Sequence, residues 1–241
     1  MKAPPPPPSL PTTYSAGSTG FDISKYQCGD IPATRSAVAV VQVTGGGIKK
    51  PPNPCYAQEA AWAGPNLSAY IYMDGLTAPD PVESRVEASK CNPKYPLCQD
   101  YDYGYFWASH WLSYSHQLGI HPKLWWLDVE NGPSWTNPIK SADTIRGAAD
   151  ALRSQGVVVG IYSTPAQWAT IAGSLTLPGV QVWTAGAGRL TGPGHTATQI
   201  CKSGGYNFAG GHLKMVQYGY TGSFLGAYPN VAPYDYDYVC N

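Results

Sequence analysis

The segment Lys123-Leu124-Trp125-Trp126-Leu127-Asp128-Val129-Glu130 joins an apolar run to two carboxylates, and its flanks decide the fold. A short apolar run bounded by turn residues is the pattern of a strand buried on both faces. Downstream, Ile145, Ala149 and Leu152 recur at i, i+4 and i+7, which predicts a helix over 142–155 with Ser141 as N-cap, Asp143 in its positive first turn and Gly156 as its stop. A second apolar run, 157–162, follows at once. Strand, helix and strand in that order make the repeating unit of a parallel sheet.

Outward from this unit, further strands are expected at 20–23, 37–43, 68–73, 180–184, 213–218 and 234–239, with 123–129 and 157–162 completing eight. Helices are expected at 56–63, 101–118 and 165–171 besides 142–155, and after residue 180 they thin out, leaving Gly-rich connections between strands. The fold class is therefore α/β: a single TIM-like barrel of eight strands whose last third is helix-poor. A doubly wound open sheet is the competing arrangement. It usually carries a Gly-rich phosphate turn after its first strand, where this chain has Ser24-Lys25-Tyr26. Residues 1–19, rich in Pro, Ser and Thr, read as a flexible linker, and 20–241 as the barrel domain.

The 241 residues carry 15 Lys+Arg against 15 Asp+Glu, a net charge of zero. No basic surface recruits nucleic acid or anionic lipid. Charged residues make up 12%, about half the usual share, while 8 Trp, 18 Tyr and 4 Phe give an aromatic excess suited to a sugar-binding or apolar cleft. No apolar run reaches the roughly 18 residues that span a bilayer, so no membrane partner is expected. Met1-Lys2-Ala3 and the prolines after it lack the apolar core of an intact signal peptide. Six cysteines without a CxxC pair read as three disulfides, with Cys91–Cys98 closing a short Pro-containing loop, and so as a secreted protein. The other pairings stay open.

Only four glutamates are present. Glu59, Glu83 and Glu87 fall in segments expected at the solvated surface, whereas Glu130 ends a buried strand. Asp128 and Glu130, at i and i+2, share one face of that strand with α-carbons roughly 6.6 Å apart. Carboxyls crowded in this way cannot all ionise easily, so one keeps its proton. A protonated acid beside an ionised carboxylate is what glycosidic cleavage requires. Asp22, Asp74, Asp235 and Asp237 fall at or near other strand ends, and Tyr70, Tyr72, Tyr162, Trp183 and Tyr218 offer ring faces for sugars. The histidines lack metal spacing, and no phosphate loop, GxSxG elbow or nucleophilic cysteine motif occurs, so neither cofactor nor metal is expected.

Six segments in order carry a resemblance. Gly20-Phe21-Asp22-Ile23-Ser24-Lys25-Tyr26-Gln27, Leu127-Asp128-Val129-Glu130, Gly160-Ile161-Tyr162-Ser163, Val182-Trp183-Thr184-Ala185, Val216-Gln217-Tyr218 and Tyr234-Asp235-Tyr236-Asp237 resemble the glycoside hydrolase family 25 muramidases, lysozymes that cut the MurNAc–GlcNAc β-1,4 bond of peptidoglycan. The resemblance implies a flattened barrel with about five helices and a polysaccharide or peptidoglycan substrate. It implies Glu130 as general acid and Asp128 as the group orienting the acetamido substituent or stabilising the oxocarbenium-like centre. Asp22 and Asp235 would be supporting carboxylates, and Gln217 joins the substrate-binding residues Asp74, Asp237, Tyr70, Tyr72, Tyr162, Trp183 and Tyr218. A monomer is the default expectation. The chain departs from the family at Gln42-Val43-Thr44-Gly45-Gly46, where a Lys and a Glu are usual, and at Tyr70-Ile71-Tyr72-Met73-Asp74, where a His is usual. These departures touch the sugar-contacting rim. They keep two other readings in play: a glycosidase acting on another envelope or extracellular polysaccharide, and a non-catalytic carbohydrate-binding barrel.

Overall fold

In the computed structural model, which describes residues 14–77, 97–192, 194–219 and 234–240, eight strands close into a barrel in sequence order. They are β1 Thr19–Ile23, β2 Val38–Gln42, β3 Leu67–Tyr72, β4 Leu124–Asp128, β5 Val158–Ser163, β6 Gln181–Ala187, β7 His212–Tyr218 and β8 Asp235–Val239. Five α-helices accompany them: α1 Tyr56–Ala63, α2 Leu97–Gln117, α3 Pro138–Ser154, α4 Pro165–Ala172 and α5 Ala197–Lys202. β1 to β7 run parallel, and β8 pairs antiparallel with both β7 and β1. The eight strands expected from sequence are all present, as is the barrel; the orientation of the last one is new.

Strands β2, β4 and β5 are buried along their whole length, so alternate residues feed two cores. Inward, Val38, Val40, Leu124, Trp126, Val158, Met215 and Val239 fill the lumen. Outward, Ala39, Val41, Ile71, Trp125, Leu127, Ile161 and Val182 meet helix residues such as Trp111, Ile145, Leu152 and Trp168. The lumen accommodates the Trp126 indole because its register partner is Gly160: a Cβ there would lie 2.1 Å from the indole ring. Helices α2 and α3 approach equally closely. A Cβ on Gly104 would lie 1.9 Å from Thr144 O, and one on Gly147 2.0 Å from Tyr101 O.

Several expectations are corrected. The packed structure begins before residue 20: the Tyr14 ring is buried in the lumen core, and its hydroxyl contacts Ser68 Oγ at 2.6 Å and Ala39 O at 3.0 Å. Helix α3 starts at Pro138, capped by Asn137, whose Oδ1 accepts from the Ile139 and Lys140 amides. Ser141 lies inside that helix and donates to Asn137 O. Proline is well suited to the first helical position, where its missing N–H costs nothing, and this signal outranks Ser141 as a cap. The short α5, with its Thr196–Gln199 capping box, falls in the stretch expected to be helix-poor.

Glu59 is fully buried rather than solvated. Asn53 Nδ2 donates to Glu59 Oε2 at 2.7 Å and to Gln42 O at 2.9 Å, and burial pushes the Glu59 carboxyl up to about 7. Two disulfides, Cys28–Cys55 and Cys201–Cys240, tie β-barrel connections together. Cys91–Cys98, Glu83 and Glu87 concern positions outside the residues whose side chains are described. No helix among the described residues is long and apolar enough to cross a membrane.

Gly160→Ala is expected to force Trp126 out of its rotamer and to lower stability by about 1–3 kcal/mol, the range for overpacked cores. Urea denaturation of the two proteins checks this; an unchanged midpoint would mean the lumen has slack at that level.

Candidate active site

Strand alternation carries one set of side chains up from the lumen core to the mouth where the parallel strands end, the end at which barrel enzymes build their sites. There they line a cleft of about 380 Å³. Its acidic lining is Asp22 from β1, Asp128 from the end of β4, Glu130 just beyond it, and Asp235 from β8. Asp22 and Asp128 are buried, Glu130 is half-buried and Asp235 is exposed at the rim. Tyr70, Tyr72, Tyr162, Trp183 and Gln217 complete the expected set that the fold brings together.

Trp183 forms the floor, only 1% exposed, with its ring centroid 4.2 Å from Tyr162, 5.5 Å from Trp126 and 6.3 Å from Tyr70. One hydrogen-bond chain fixes the wall opposite. Tyr162 donates its hydroxyl to Gln217 Oε1 at 2.6 Å, and Gln217 Nε2 donates to Asp22 Oδ2 at 2.9 Å. The tyrosine thereby sets the amide so that its N–H faces the carboxylate. The backbone after Glu130 is pinned by Trp135, whose indole N–H reaches Glu130 O at 2.8 Å.

Electrostatically the site is one-sided. No Lys, Arg or His among the described residues lines the cleft. Lys25, next in sequence to the lining residues Ser24 and Tyr26, donates to Gly45 O and rides over the Tyr26 ring. Burial, then the charges of Glu130 and Asp22, holds the Asp128 carboxyl well above its ordinary value. Asp22 is raised by burial, then by Asp235, and less by Glu130. Glu130 is raised by burial and by Asp235. Such a site retains protons at pH values where solvated carboxyls have lost them.

Three expected residues do not line the cleft. Asp237 shares the inward face of β8 with Asp235 but lies below it: β8 descends from the mouth, pairing Asp235 with Asp22 and Asp237 with Gly20. It is fully buried, with neither oxygen in a hydrogen bond. Tyr218 follows the inward Gln217, so alternation turns it outward, where it packs with Tyr236 and the outer cluster of Val216 and Ile200. Asp74 lies beyond the end of β3, where alternation no longer governs direction, and accepts the Tyr103 hydroxyl of α2 at 2.6 Å. Conversely, Ser24, Tyr26 and Gln42 line the cleft without having been singled out as site residues. Tyr26 is 79% exposed at the rim, with the Lys25 ammonium over its ring. The available signal for Gln42 was an amide ending an otherwise apolar strand.

No protein-family model matches the chain. Over 170 residues, 69% of its length, it is 30% identical to Counting factor 50 of Dictyostelium discoideum, and it spans about half, 48%, of that relative. The barrel is similar to the catalytic domain of endolysin ply40 from bacteriophage P40 of Listeria monocytogenes, with a TM-score of 0.56, 16% identity and 93% of each chain covered. It is also similar to a family GH25 lysozyme from Aspergillus fumigatus, with a TM-score of 0.52, 14% identity and 94% of each chain covered. The chain therefore has the barrel fold of these two structures.

A carboxyl whose pKa is raised by folding binds protons more tightly in the folded than in the unfolded chain. Its stabilising effect is full below the unfolded value and is lost as pH rises through the folded one. Asp22, Asp128, Glu130 and Asp237 all shift this way, so unfolding free energy should fall from mildly acid pH towards neutrality. Asp237→Asn removes a buried carboxyl with no hydrogen-bond partner and is expected to raise the neutral-pH denaturation midpoint and flatten the decline. Denaturant titrations across pH 4–8 check both, and a lower midpoint at pH 7 would contradict them.

Proposed function

We propose that the chain is a secreted glycoside hydrolase that cuts the MurNAc–GlcNAc β-1,4 bond of peptidoglycan by carboxylate catalysis. The observation that carries this reading is the cluster of Asp22, Asp128, Glu130 and Asp235 in a cleft floored by aromatic rings, with no lining cation among the described residues. Glu130 is the general acid. It is half-buried and so reachable by a glycosidic oxygen, and its raised pKa keeps the proton available for the leaving group. Asp128, deeper and flanked by Tyr72 and Tyr162 across the sheet, orients the substituent on the sugar and balances positive charge at the anomeric carbon. Asp22 and Asp235 support that charge from the opposite wall. Asp22 is held by Gln217, so it needs little reorganisation as the charge develops.

Tyr26 and Tyr72 offer the accessible ring faces, whereas Trp183 gives the cleft its dry floor. The two disulfides support an oxidising, extracellular setting.

Glu130→Gln is expected to lower reducing-end release from peptidoglycan by about 10²–10⁴-fold with an unchanged melting temperature, the usual loss when a general acid is removed. Undiminished turnover would overturn the assignment. For the native protein, kcat/KM should fall along a basic limb as Glu130 deprotonates. The basic limb should lie above the pH at which an ordinary glutamate titrates, and a profile flat through that range would count against Glu130.

A further inference from the structure

One buried acid takes no part in the chemistry of the cleft. Glu59 lies fully buried on α1, where its Oε2 accepts from Asn53 and its Oε1 has no hydrogen-bond partner. One of its carboxyl oxygens and the sulfurs of Cys28 and Cys55 all lie within 4.8 Å of one another. Helical spacing explains the approach, because Cys55 and Glu59 stand at i and i+4 across the first turn of α1. Cys55 is the N-cap residue of that helix, so the helix N-terminus favours a thiolate at its sulfur. Both cysteines are half-buried, and their neighbours Gly29 and Pro54 are exposed. The Cys28–Cys55 bond is thus open to a small solute on one side and backed by a carboxyl on the other.

We propose that Cys28–Cys55 is a reactive disulfide that exchanges with small thiols, with Glu59 as the proton donor to the departing Cys55 sulfur. A small thiolate attacks Cys28 Sγ. A bond between those two sulfurs forms as the Cys28–Cys55 bond breaks, the electron pair passes to Cys55 Sγ, and that sulfur takes the Glu59 proton. A second small thiolate attacks the small-molecule sulfur of the mixed disulfide and frees Cys28, which is protonated from solvent as Glu59 regains its own proton. The protein gains two electrons, and two small thiols become one disulfide. In an oxidising medium the pair stays joined until thiol is supplied, and the exchange is independent of any glycosidase action. Burial holds the Glu59 carboxyl at about 7 against the lowering effect of the Asn53 bond, and no charged group contributes. Around Glu59 stand the disulfide, Asn53, which also holds Gln42 O, and Tyr56, whose hydroxyl meets Ser115 on α2. The nearby cations lie elsewhere on α1: Arg35 holds the carbonyls of Ala61 and Trp62 at its far end, and His121 and Lys123 line a groove along its Ala57, Ala60 and Ala61 side.

The test treats the full native chain with 2-mercaptoethanol over the range from about pH 5.5 to about pH 8, quenches by alkylation, and follows each bond by peptide mass. Cys28–Cys55 is expected to open about tenfold faster than Cys201–Cys240, with the transient adduct on Cys28. Divided by the thiolate fraction of the reagent, its rate should be highest below about pH 7 and fall above it as Glu59 ionises, while the same quotient for Cys201–Cys240 stays level. Glu59→Gln should slow the opening by about tenfold on the acid side, leave the melting temperature unchanged, and be no slower than the native chain at about pH 8. Opening no faster than that of Cys201–Cys240 overturns the reactive disulfide. A level profile for Cys28–Cys55, or an unslowed Glu59→Gln protein, overturns the role of Glu59, and an adduct on Cys55 overturns the direction of attack. If Glu59→Gln does not fold, the pH profile of the native chain decides the role of Glu59 by itself.

Discussion

The antiparallel closure of the barrel by β8 is the constraint on which the site depends. Seven parallel strands all run towards one mouth, and an eighth running the same way would start at the base and leave Asp235, its first residue, at the end away from that mouth. Running the other way, β8 sets Asp235 beside Asp22 at the rim and sends Asp237 down beside Gly20. The two paired carboxyls then face Asp128 and Glu130 across the cleft, and the third is enclosed beneath them without a hydrogen bond.

That arrangement is costly to the fold. Carboxyls removed from water and left without a counter-charge are destabilising, and a chain under no functional demand gains by replacing them. The barrel tolerates them because the surrounding structure is over-determined. Its lumen is filled by Trp126 opposite Gly160, its base is closed by Tyr14, and its helices α2 and α3 interlock through paired glycines. The hydrophobic interior below and around the mouth supplies the stability that the mouth gives up, and the same dry surroundings raise the pKa of Glu130 and Asp128. Stability and proton retention thus have one physical origin, burial without a cation.

Much of this was legible along the chain. Apolar β-branched runs located the eight strands, and the Asp-Val-Glu spacing placed Asp128 and Glu130 on one face. Aromatic residues at strand positions of the correct parity, Tyr70, Tyr72, Tyr162 and Trp183, reached the cleft. Parity also excludes Tyr218, because Gln217 holds the inward position next to it. Asp74 was harder, since its direction is set by a hydroxyl on a distant helix. Glu59 looked like a surface residue because its partner Asn53 lies six positions away in a loop, and that hydrogen bond has no periodic signature.

The sequence by itself determined where the eight strands form, that strands buried on both faces serve two cores, and that two acids share a strand face, because each of these follows from periodicity within a single segment. Tertiary structure alone decided which way the last strand runs, which acids share a mouth, how deep each lies and which acceptors are left without donors. Those depend on register between segments far apart in the chain, and on the exclusion of water and cations from the space they enclose.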